Sequence, residues 1–440
     1  MVMRSMAAGT EQTPAAGGTA VEAVTEAVYE ITDRARAASR GLARTSRAQK
    51  DRGLLAVAEA LETHRNELLA ANDQDIDRAR SAGTGSSLLD RMTLTAERIG
   101  KLSQALVDLI ALPDPVGSVV RGQSLPNGLR MRQQRVPLGV VAAIYEARPN
   151  VTVDIAGLAL KSGNSVILRG GSAVAQTNAT LIRVIQQALR ESGLPADAVQ
   201  GVDAFGRESV EVLMRARGRV DVLIPRGGRE LIQRVVNHST VPVIETGEGN
   251  VHIFIDESAS VEQAVAIVLN AKTQRPSVCN TVETLLVHQD APALNPVLEA
   301  LSAAGVSLHA DERVIAVLPE GVEAQAADDA DWAAEYLDLD LAVRMVDSVD
   351  DALEHIWRWS TGHTEAILSN DLANTERFIA EVDSAAVIVN ASTRFTDGGE
   401  LGLGAEVGIS TQKLHARGPM GLAELTTTQW VVHGAGHIRD

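Results

Sequence analysis

GVVAAIYEARPNVTVDIAGLALKSGNSVILRGG, residues 139–171, is the stretch that decides the fold. Its first nine residues (139–147) and its last eight (164–171) are apolar runs typical of buried strands. The intervening segment 153–163 has the periodicity of a helix. The stretch therefore predicts a strand, a helix and a second strand, which is the unit that builds a parallel sheet.

The same alternation continues along the chain to residue 247. Strand-like runs at 198–204, 220–228 and 241–247 are separated by helical patterns. Five strands alternating with helices predict an open, doubly wound parallel sheet. Ligands of such sheets bind at the carboxyl ends of the strands. A second α/β unit begins at VHIFID, residues 251–256.

The two flanks of this α/β region have other patterns. Residues 21–110 repeat apolar positions every three or four residues and predict helices. Residues 113–139 contain two β-type runs around Pro126-Asn127-Gly128, which predicts a hairpin. The edges of this hairpin suit oligomerisation. The run TTTQWVV at 426–432 is also β-prone, and we expect it to pair with another edge strand, either within the chain or across a subunit interface. Residues 1–20 are interpreted as a disordered tail and not as a signal peptide.

The composition excludes several classes of function. The 440 residues are 45% hydrophobic, 22% charged and only 2% aromatic, with a net charge of −17. The acidity disfavours nucleic acid, and the scarcity of aromatic residues removes platforms for base stacking. No apolar run is long enough to cross a membrane. A single cysteine and no export signal predict a reducing, cytoplasmic setting.

That cysteine is Cys279, and its position is informative. It lies between a helical run that ends near Pro276 and the strand-like run ETLLVH. Reactive groups are often displayed at such irregular junctions. A lone cysteine forms neither an internal disulfide nor a multi-thiolate metal site, so two interpretations stay open: a buried core residue or a nucleophile. Lys272 and Arg275 precede it and are expected to favour the thiolate.

Two strands run directly into a pair of glycines and then a helix. They are VILRGGSA at 166–173 and VLIPRGGRE at 222–230, and each loop carries an arginine, Arg169 or Arg226. Glycines let a backbone approach a phosphate, and a helix N-terminus favours an anion. The alternative is that the glycines only close tight turns. No Gly-x-Gly-x-x-Gly follows any predicted strand.

Two further groups of polar residues carry no assigned chemistry from the pattern alone. Glu245, at the end of the fifth predicted strand, suits either a general base or a cap for the next turn. His433 and His437 are four residues apart but lack a third ligand type, so no metal site is predicted. A thiol, two phosphate-friendly loops and no metal predict thiol chemistry on an acyl group beside a nucleotide cofactor.

Four long strings carry a resemblance to a known family: residues 136–171, 270–288, 352–367 and 389–411. With them the chain resembles the gamma-glutamyl phosphate reductases (glutamate-5-semialdehyde dehydrogenases), a branch of the aldehyde dehydrogenase superfamily. The resemblance implies an aldehyde-dehydrogenase-like α/β fold with a doubly wound cofactor domain, an α/β catalytic domain and a small β oligomerisation element. The cofactor domain would comprise residues 21–112 and 136–250, and the catalytic domain residues 251–415. The β element would comprise residues 113–135 and 416–440.

The resemblance also implies how NADP(H) is bound. Arg169 falls where relatives have a lysine that contacts the adenosine ribose or its phosphate. Ser172 falls where many NAD-using relatives carry a glutamate that repels a 2′-phosphate, so this pair favours NADP(H). Glu335 resembles the glutamate that holds the nicotinamide ribose. The remaining residues assigned to the cofactor are Gly170, Gly171, Arg226, Gly227, Gly228 and Glu245.

The resemblance also bears on the catalytic and substrate residues, although Asn150 is out of register with the asparagine that binds the oxyanion in hydrolytic relatives. Cys279 falls at the position of the superfamily nucleophile, and Asn150 with the backbone N–H of Cys279 is expected to bind the oxyanion. Glu245 aligns with a base that activates water in hydrolytic relatives, a step that a phosphate-dependent reductase lacks. The residues assigned to the substrate are Arg148, Arg275, Ser392 and Thr393.

The implied activity is the NADPH-dependent reduction of gamma-glutamyl phosphate to glutamate 5-semialdehyde with release of phosphate, the second step of proline biosynthesis. It passes through a cysteine thioester. A homo-oligomer and a complex with glutamate 5-kinase are the implied assemblies. Two alternatives are a CoA-dependent or hydrolytic aldehyde dehydrogenase, and a non-catalytic scaffold that keeps the fold.

Overall fold

The structure is a computed structural model, and it describes residues 16–146 and 148–439. Its N-terminal part is helical, as predicted, with α1 (Ala16–Leu42), α2 (Arg47–Thr63), α3 (Arg65–Ser81), α4 (Ser86–Met92) and α5 (Ala96–Ala111). Most of the predicted tail, residues 1–15, lies outside the described residues. Residues 16–20 (AGGTA), predicted as part of that tail, belong to α1 despite their two glycines, because a helix that is already formed extends at little cost per residue.

The predicted hairpin and the first α/β unit follow. The elements are β1 (Val119–Ser124), β2 (Arg130–Pro137), β3 (Val140–Tyr145), α6 (Pro149–Lys161), β4 (Ser165–Arg169), α7 (Ala175–Glu191), β5 (Val199–Gly201), α8 (Glu208–Arg215), β6 (Val222–Arg226) and α9 (Arg229–His238). The strands pair in the order β5-β4-β3-β6, all parallel. The predicted fifth strand at 241–247 makes only an isolated bridge between Leu223 and Val243. Pro242 lacks an N–H and cannot extend the ladder.

Helices cover both faces of this sheet. Successive residues of its inner strand β3 point to opposite faces, and both sets are apolar. Val141, Ala143 and Tyr145 pack with α2, α5, α6 and α7 on one face. Val140 and Ala142 pack with α1 and α8 on the other face. The strand is therefore buried along its whole length, which explains its continuous apolar sequence.

The second α/β unit is built on a larger parallel sheet. Its elements are β7 (Val251–Ile255), α10 (Val261–Thr273), β8 (Val282–His288), α11 (Leu294–Ala303), β9 (Ser307–Ala310), α12 (Glu312–Ile315), β10 (Ala324–Ala326), α13 (Asp329–Trp332), β11 (Asp340–Val346), α14 (Val349–Trp359), β12 (Thr364–Leu368), α15 (Leu372–Glu381) and β13 (Ala386–Val389). The strand order is β10-β9-β11-β8-β7-β12-β13. The central pair β7 and β8 is fully buried, and Cys279 precedes β8.

The chain ends with short strands and a return to the hairpin. After β14 (Ile409–Ser410) and β15 (Gly418–Pro419), strand β16 (Thr426–His433) pairs along its full length with β2. The result is an antiparallel sheet in the order β1-β2-β16. The β-prone C-terminal run therefore pairs within the chain, with the segment assigned to the same β element. No helix among residues 16–146 and 148–439 is long and apolar enough to span a membrane.

The buried His363 makes the stability of the fold sensitive to acid. Its side chain is fully buried before β12, its Nδ1 contacts the Thr364 hydroxyl at 2.8 Å, and Nε2 has no hydrogen-bond partner. Burial lowers the pKa of His363 to about 4. In the unfolded chain His363 takes up a proton near pH 6.5, whereas in the folded chain it stays neutral until about pH 4. The free energy of unfolding therefore falls as the pH falls from 6.5 to 4. We expect this residue to contribute about 3 kcal/mol to that loss.

The measurement is the free energy of unfolding as a function of pH for the wild type and His363→Asn. The variant should lose stability less steeply between pH 6.5 and 4. The exposed His238, changed to Asn, is the control and should keep the wild-type slope. Equal slopes for the wild type and His363→Asn would contradict the assignment.

Candidate active site

Cys279 lies on the loop 274–281, between the end of α10 and the start of β8. Two hydroxyl groups hold this loop: Thr281 donates to the carbonyl of Arg275 at 2.8 Å, and Thr393 donates to the carbonyl of Asn280 at 2.7 Å. The Asn280 side chain also donates to the carbonyl of Thr396 at 2.9 Å. The thiol is half-buried on a loop whose backbone is fixed on both sides of it.

A close backbone contact locks this loop against residue 249. A Cβ atom on Gly249 would lie 1.5 Å from the carbonyl oxygen of Cys279, so no larger residue fits there without moving the loop. The Gly249 N–H donates to Oε1 of Glu335 at 2.7 Å. The nucleophile candidate and the glutamate assigned to the nicotinamide ribose are thus joined through a single glycine.

The surroundings of the thiol disfavour the thiolate. Burial, and then the carboxylates of Glu406 and Glu335, raise the pKa of Cys279 to about 12, while Arg226 opposes them. The expectation that Lys272 favours the thiolate is wrong. Its ammonium group is buried and donates to Glu283 at 2.6 Å and to the carbonyl of Val282 at 3.1 Å, so its charge is matched there.

The buried ion pair between Lys272 and Glu283 instead supports the backbone of the site. Oε1 of Glu283 accepts a hydrogen bond from the N–H of Leu337 at 3.2 Å. Leu337 has a φ of 54°, a left-handed conformation that is strained for leucine and needs such support. Lys272 precedes the nucleophile loop and Leu337 follows Glu335, so the pair links the two segments. Removing one partner of a buried pair costs about 3–5 kcal/mol.

The first glycine loop follows β4 and is held by Asp203. Gly170 donates its N–H to Oδ1 of Asp203 at 2.6 Å, and a Cβ on Gly170 would lie 2.0 Å from Nδ2 of Asn178. Nη2 of Arg169 donates to the carbonyl of Gly206 at 3.4 Å, while its buried Nε has no partner. Ser172 is exposed at the start of a short 3-10 helix. The loop therefore offers an unsatisfied guanidinium N–H beside a small exposed hydroxyl.

The second glycine loop follows β6 and opens towards solvent. Gly228 caps the N-terminus of α9, and no atom lies within 4 Å of the position where its Cβ would be. Gly227 packs against Glu146: a Cβ atom on Gly227 would lie 2.8 Å from Cδ of Glu146. Nη1 of Arg226 donates to the carbonyl of Val407 at 3.0 Å. Space beside free helical N–H groups suits a phosphate, and the contact of this loop with a cofactor phosphate stays a prediction.

The other residues predicted for the site lie in varied settings. Asn150 is exposed and donates to Asp154 at 3.2 Å, and burial raises the pKa of that carboxyl to about 6. The backbone N–H of Glu245 donates to the Gln412 side chain at 3.1 Å. Ser392 and Thr393 are buried: the Ser392 hydroxyl accepts from the N–H of Arg394, and only Thr393 holds the backbone next to the thiol. Their contact with the substrate, and the oxyanion role of Asn150, stay predictions.

Sequence reasoning missed three charged residues near the thiol. Glu406 accepts a hydrogen bond from the N–H of Gly398 at 3.0 Å, and Arg91 from α4 donates to the carbonyl of Ser277 at 3.5 Å. Arg394 donates through Nε to the Gln274 side chain at 2.8 Å. The sequence neighbours of Arg394, Ser392 and Thr393, were assigned to the site and offered a signal. Arg91 had no signal, because it comes from the separate helical region.

Comparison with known proteins defines the class of this enzyme. The sequence pattern of the Aldehyde dehydrogenase family matches residues 10–313, and the chain belongs to this family, whose members use a nicotinamide cofactor. An acetylating aldehyde dehydrogenase from Geobacillus thermoglucosidasius shares the fold at a TM-score of 0.70 and 19% identity, covering 96% of this chain and 99% of its own. The aldehyde-dehydrogenase-like α/β fold predicted from the sequence is confirmed.

Within this family the chain groups with the gamma-glutamyl phosphate reductases. The protein of that name from Kineococcus radiotolerans is 58% identical over 425 residues, covering 96% of this chain and 98% of the relative. That from Leifsonia xyli is 59% identical over 421 residues, covering 94% and 99%. The crystal structure of gamma-glutamyl phosphate reductase from Thermotoga maritima superposes with a TM-score of 0.91 at 44% identity, covering 94% and 100%. The chain is therefore an oxidoreductase.

The contact at Gly249 generates the first prediction about activity. In Gly249→Ala the added methyl group must displace the backbone of Cys279 by more than 1 Å, and such a displacement of a reacting group costs about 100-fold in rate. We expect kcat/KM to fall by about that factor. Gly41→Ala is a matched control, since its Cβ would meet Pro195 at an ordinary 3.7 Å. Wild-type activity in Gly249→Ala would contradict the geometry.

Proposed function

We propose that this enzyme reduces gamma-glutamyl phosphate to glutamate 5-semialdehyde with NADPH, releasing phosphate, through a thioester on Cys279. The reaction is the second step of proline biosynthesis. The observation that carries the proposal is the half-buried thiol on a fixed loop, beside both Glu335 and several arginines. The family membership supports the same reaction.

The first chemical step forms the thioester. Sγ of Cys279 attacks the acyl carbon, and the bond from that carbon to the phosphate oxygen breaks. The raised pKa of Cys279 means that the thiol still carries its proton when the substrate arrives. That proton leaves with the phosphate, which departs as hydrogen phosphate, so the step balances without a separate base. The backbone N–H of Cys279 and the side chain of Asn150 are proposed to stabilise the oxyanion.

The second step returns Cys279 to its starting state. A bound NADPH would supply the hydride that reduces the thioester. The carbon–sulfur bond then breaks, so that Cys279 leaves as a thiolate and the semialdehyde is released. Cys279 takes up a proton from solvent to restore the thiol. The backbone around Cys279 stays fixed through these changes by Thr393 and Gly249, which hold the reacting carbon within reach of the cofactor side of the site.

The chain's own residues fit such a cofactor. Arg169 has a buried Nε without a partner, and a bound 2′-phosphate would supply the missing acceptor. The exposed Ser172 adds a hydroxyl and no negative charge. Gly171, Arg226, Gly227 and Gly228 are proposed to meet the pyrophosphate, and Glu335 the nicotinamide ribose. Glu245 is proposed to contact the cofactor, since the reaction has no hydrolytic step.

The proposed assemblies use surfaces outside this site. We propose a homo-oligomer through the antiparallel sheet β1-β2-β16, because Val119, Val120 and Val432 expose more than half of their surface there. A complex with glutamate 5-kinase would shield the acyl phosphate from water. A cytoplasmic location fits the reduced state that a catalytic thiol requires.

The direct test replaces the nucleophile. The reaction is followed in reverse, as NADP+ reduction with glutamate 5-semialdehyde and phosphate. Cys279→Ser should lose at least about 1,000-fold in kcat, because a serine hydroxyl without an activating base is a poor nucleophile. The exposed Ser307, changed to Ala, is the control and should keep full activity. Activity of Cys279→Ser near the wild-type level would refute the thioester, and wild-type activity that requires CoA in place of phosphate would refute the substrate.

A second test addresses the choice of cofactor. In Arg169→Glu the reversed charge repels a 2′-phosphate, so the KM for NADP+ should rise about 10- to 100-fold while the KM for NAD+ changes little. The exposed Arg215, changed to Glu, controls for net charge. An unchanged ratio of the two KM values in Arg169→Glu would show that this residue does not select NADP+.

A further inference from the structure

Five arginines from different segments converge on the nucleophile loop: Arg91, Arg148, Arg226, Arg275 and Arg394. Across the residues that the structure describes, none of them lies within 4.0 Å of a carboxylate oxygen. Sixteen other arginines of the described chain form such ion pairs. The site thus gathers five arginines that form no ion pair of their own.

The mutual repulsion of these cations shows how close they lie. Burial, and then the charges of Arg91, Arg226 and Arg275, lower the pKa of Arg148 to about 10. Burial also lowers the pKa of Arg394, with Arg275 acting in the same direction. Gathering like charges in a partly buried place destabilises the protein, and an anion bound between them relieves the cost. The cluster is therefore suited to an anionic ligand.

Arg394 is the member whose geometry is best defined. It lies on the 3-10 helix Thr393–Phe395, and its carbonyl accepts from the Asn280 side chain at 3.4 Å. Its Nε donates to the neutral side chain of Gln274 at 2.8 Å. Its two Nη atoms have no hydrogen-bond partner in the described parts of the chain. The backbone of Arg394 is thus held at Asn280, the residue after Cys279, and its Nε is held at Gln274 on the same loop, while the outer end of the guanidinium is left open.

A purely structural arginine usually binds a carboxylate or a backbone carbonyl with its Nη groups. Arg394 does neither. Asp397 and Glu400 are near enough to raise its pKa, yet neither forms an ion pair with it. A guanidinium with an open outer end matches the paired oxygens of a carboxylate or phosphate. Because Arg394 lies next to the nucleophile loop, we expect the anion that it binds to be part of the substrate.

We propose that Arg394 is a substrate-binding residue that holds an anionic group of the acyl phosphate with its two Nη groups. This inference rests on the proposed function and adds a residue and a role to it. Gamma-glutamyl phosphate carries two such groups, the phosphate and the α-carboxylate, and both present paired oxygens. The reverse reaction separates them, because the α-carboxylate then belongs to the semialdehyde and the phosphate is a free ion.

The experiment measures the KM for phosphate and the KM for the semialdehyde separately in Arg394→Gln. We expect one of them to rise at least about tenfold, since a charge-assisted hydrogen bond is lost, and the other to change less than about twofold. A rise for phosphate assigns Arg394 to the phosphate, and a rise for the semialdehyde assigns it to the α-carboxylate. Arg394→Lys should recover part of the loss, because it keeps the charge without the fork.

A role confined to holding the loop predicts a different result. The kcat and the alkylation rate of Cys279 would then fall while both KM values stay at the wild-type level, and that outcome overturns the proposal. Thermal unfolding of both variants checks that they are folded at the assay temperature. Arg313→Gln, at an exposed ion pair with Asp347, is the control and should leave both KM values unchanged.

The two proposals fail in different ways. If the wild-type enzyme reduces no NADP+ with semialdehyde and phosphate, the proposed function falls, and the role of Arg394 falls with it. If the wild type is active and Arg394→Gln keeps both KM values, only the role of Arg394 is refuted.

Discussion

The packing of Gly249 against the carbonyl of Cys279 is the contact on which the rest of the site depends. No Cβ fits at residue 249, so the backbone there and the nucleophile loop can approach until they touch. The same glycine donates its N–H to Glu335, and the buried pair of Lys272 and Glu283 supports both segments from below. The thiol of Cys279 and the carboxylate of Glu335 are consequently fixed relative to each other through the backbone of Gly249. Backbone atoms change position less readily than side chains.

Around this frame the protein places charges of both signs. Burial, and then Glu406 and Glu335, keep the thiol protonated, and the arginines near it form no ion pairs of their own. Burial strengthens both effects, because charges interact more strongly when water is excluded. On the proposed mechanism the anionic substrate matches the arginines, and the departing phosphate removes the proton of Cys279. The negative charges of the substrate then neutralise the positive charges of these arginines.

Much of the fold followed from local pattern. The strands at 140–145 and 165–169 and the position of Cys279 between a helix and a strand were predicted from apolar periodicity and chain breaks. The differences have identifiable causes. Pro242 reduced a predicted strand to a single bridge, and residues 16–20 continue helix α1 into a predicted tail, because extending a formed helix costs little. Lys272 was misjudged because Glu283, eleven residues later, returns beside it once the chain reverses through the loop.

By itself, the sequence determined the alternation of strands and helices, the two glycine loops, the single thiol and the family resemblance, since each is written in neighbouring residues. Only the tertiary structure decided the charge around that thiol. Arg91, Arg394 and Glu406 stand more than 100 residues from Cys279 in the chain and meet its loop only after folding. A pKa depends on burial and on charges within a few ångströms, and neither quantity exists until distant segments pack together.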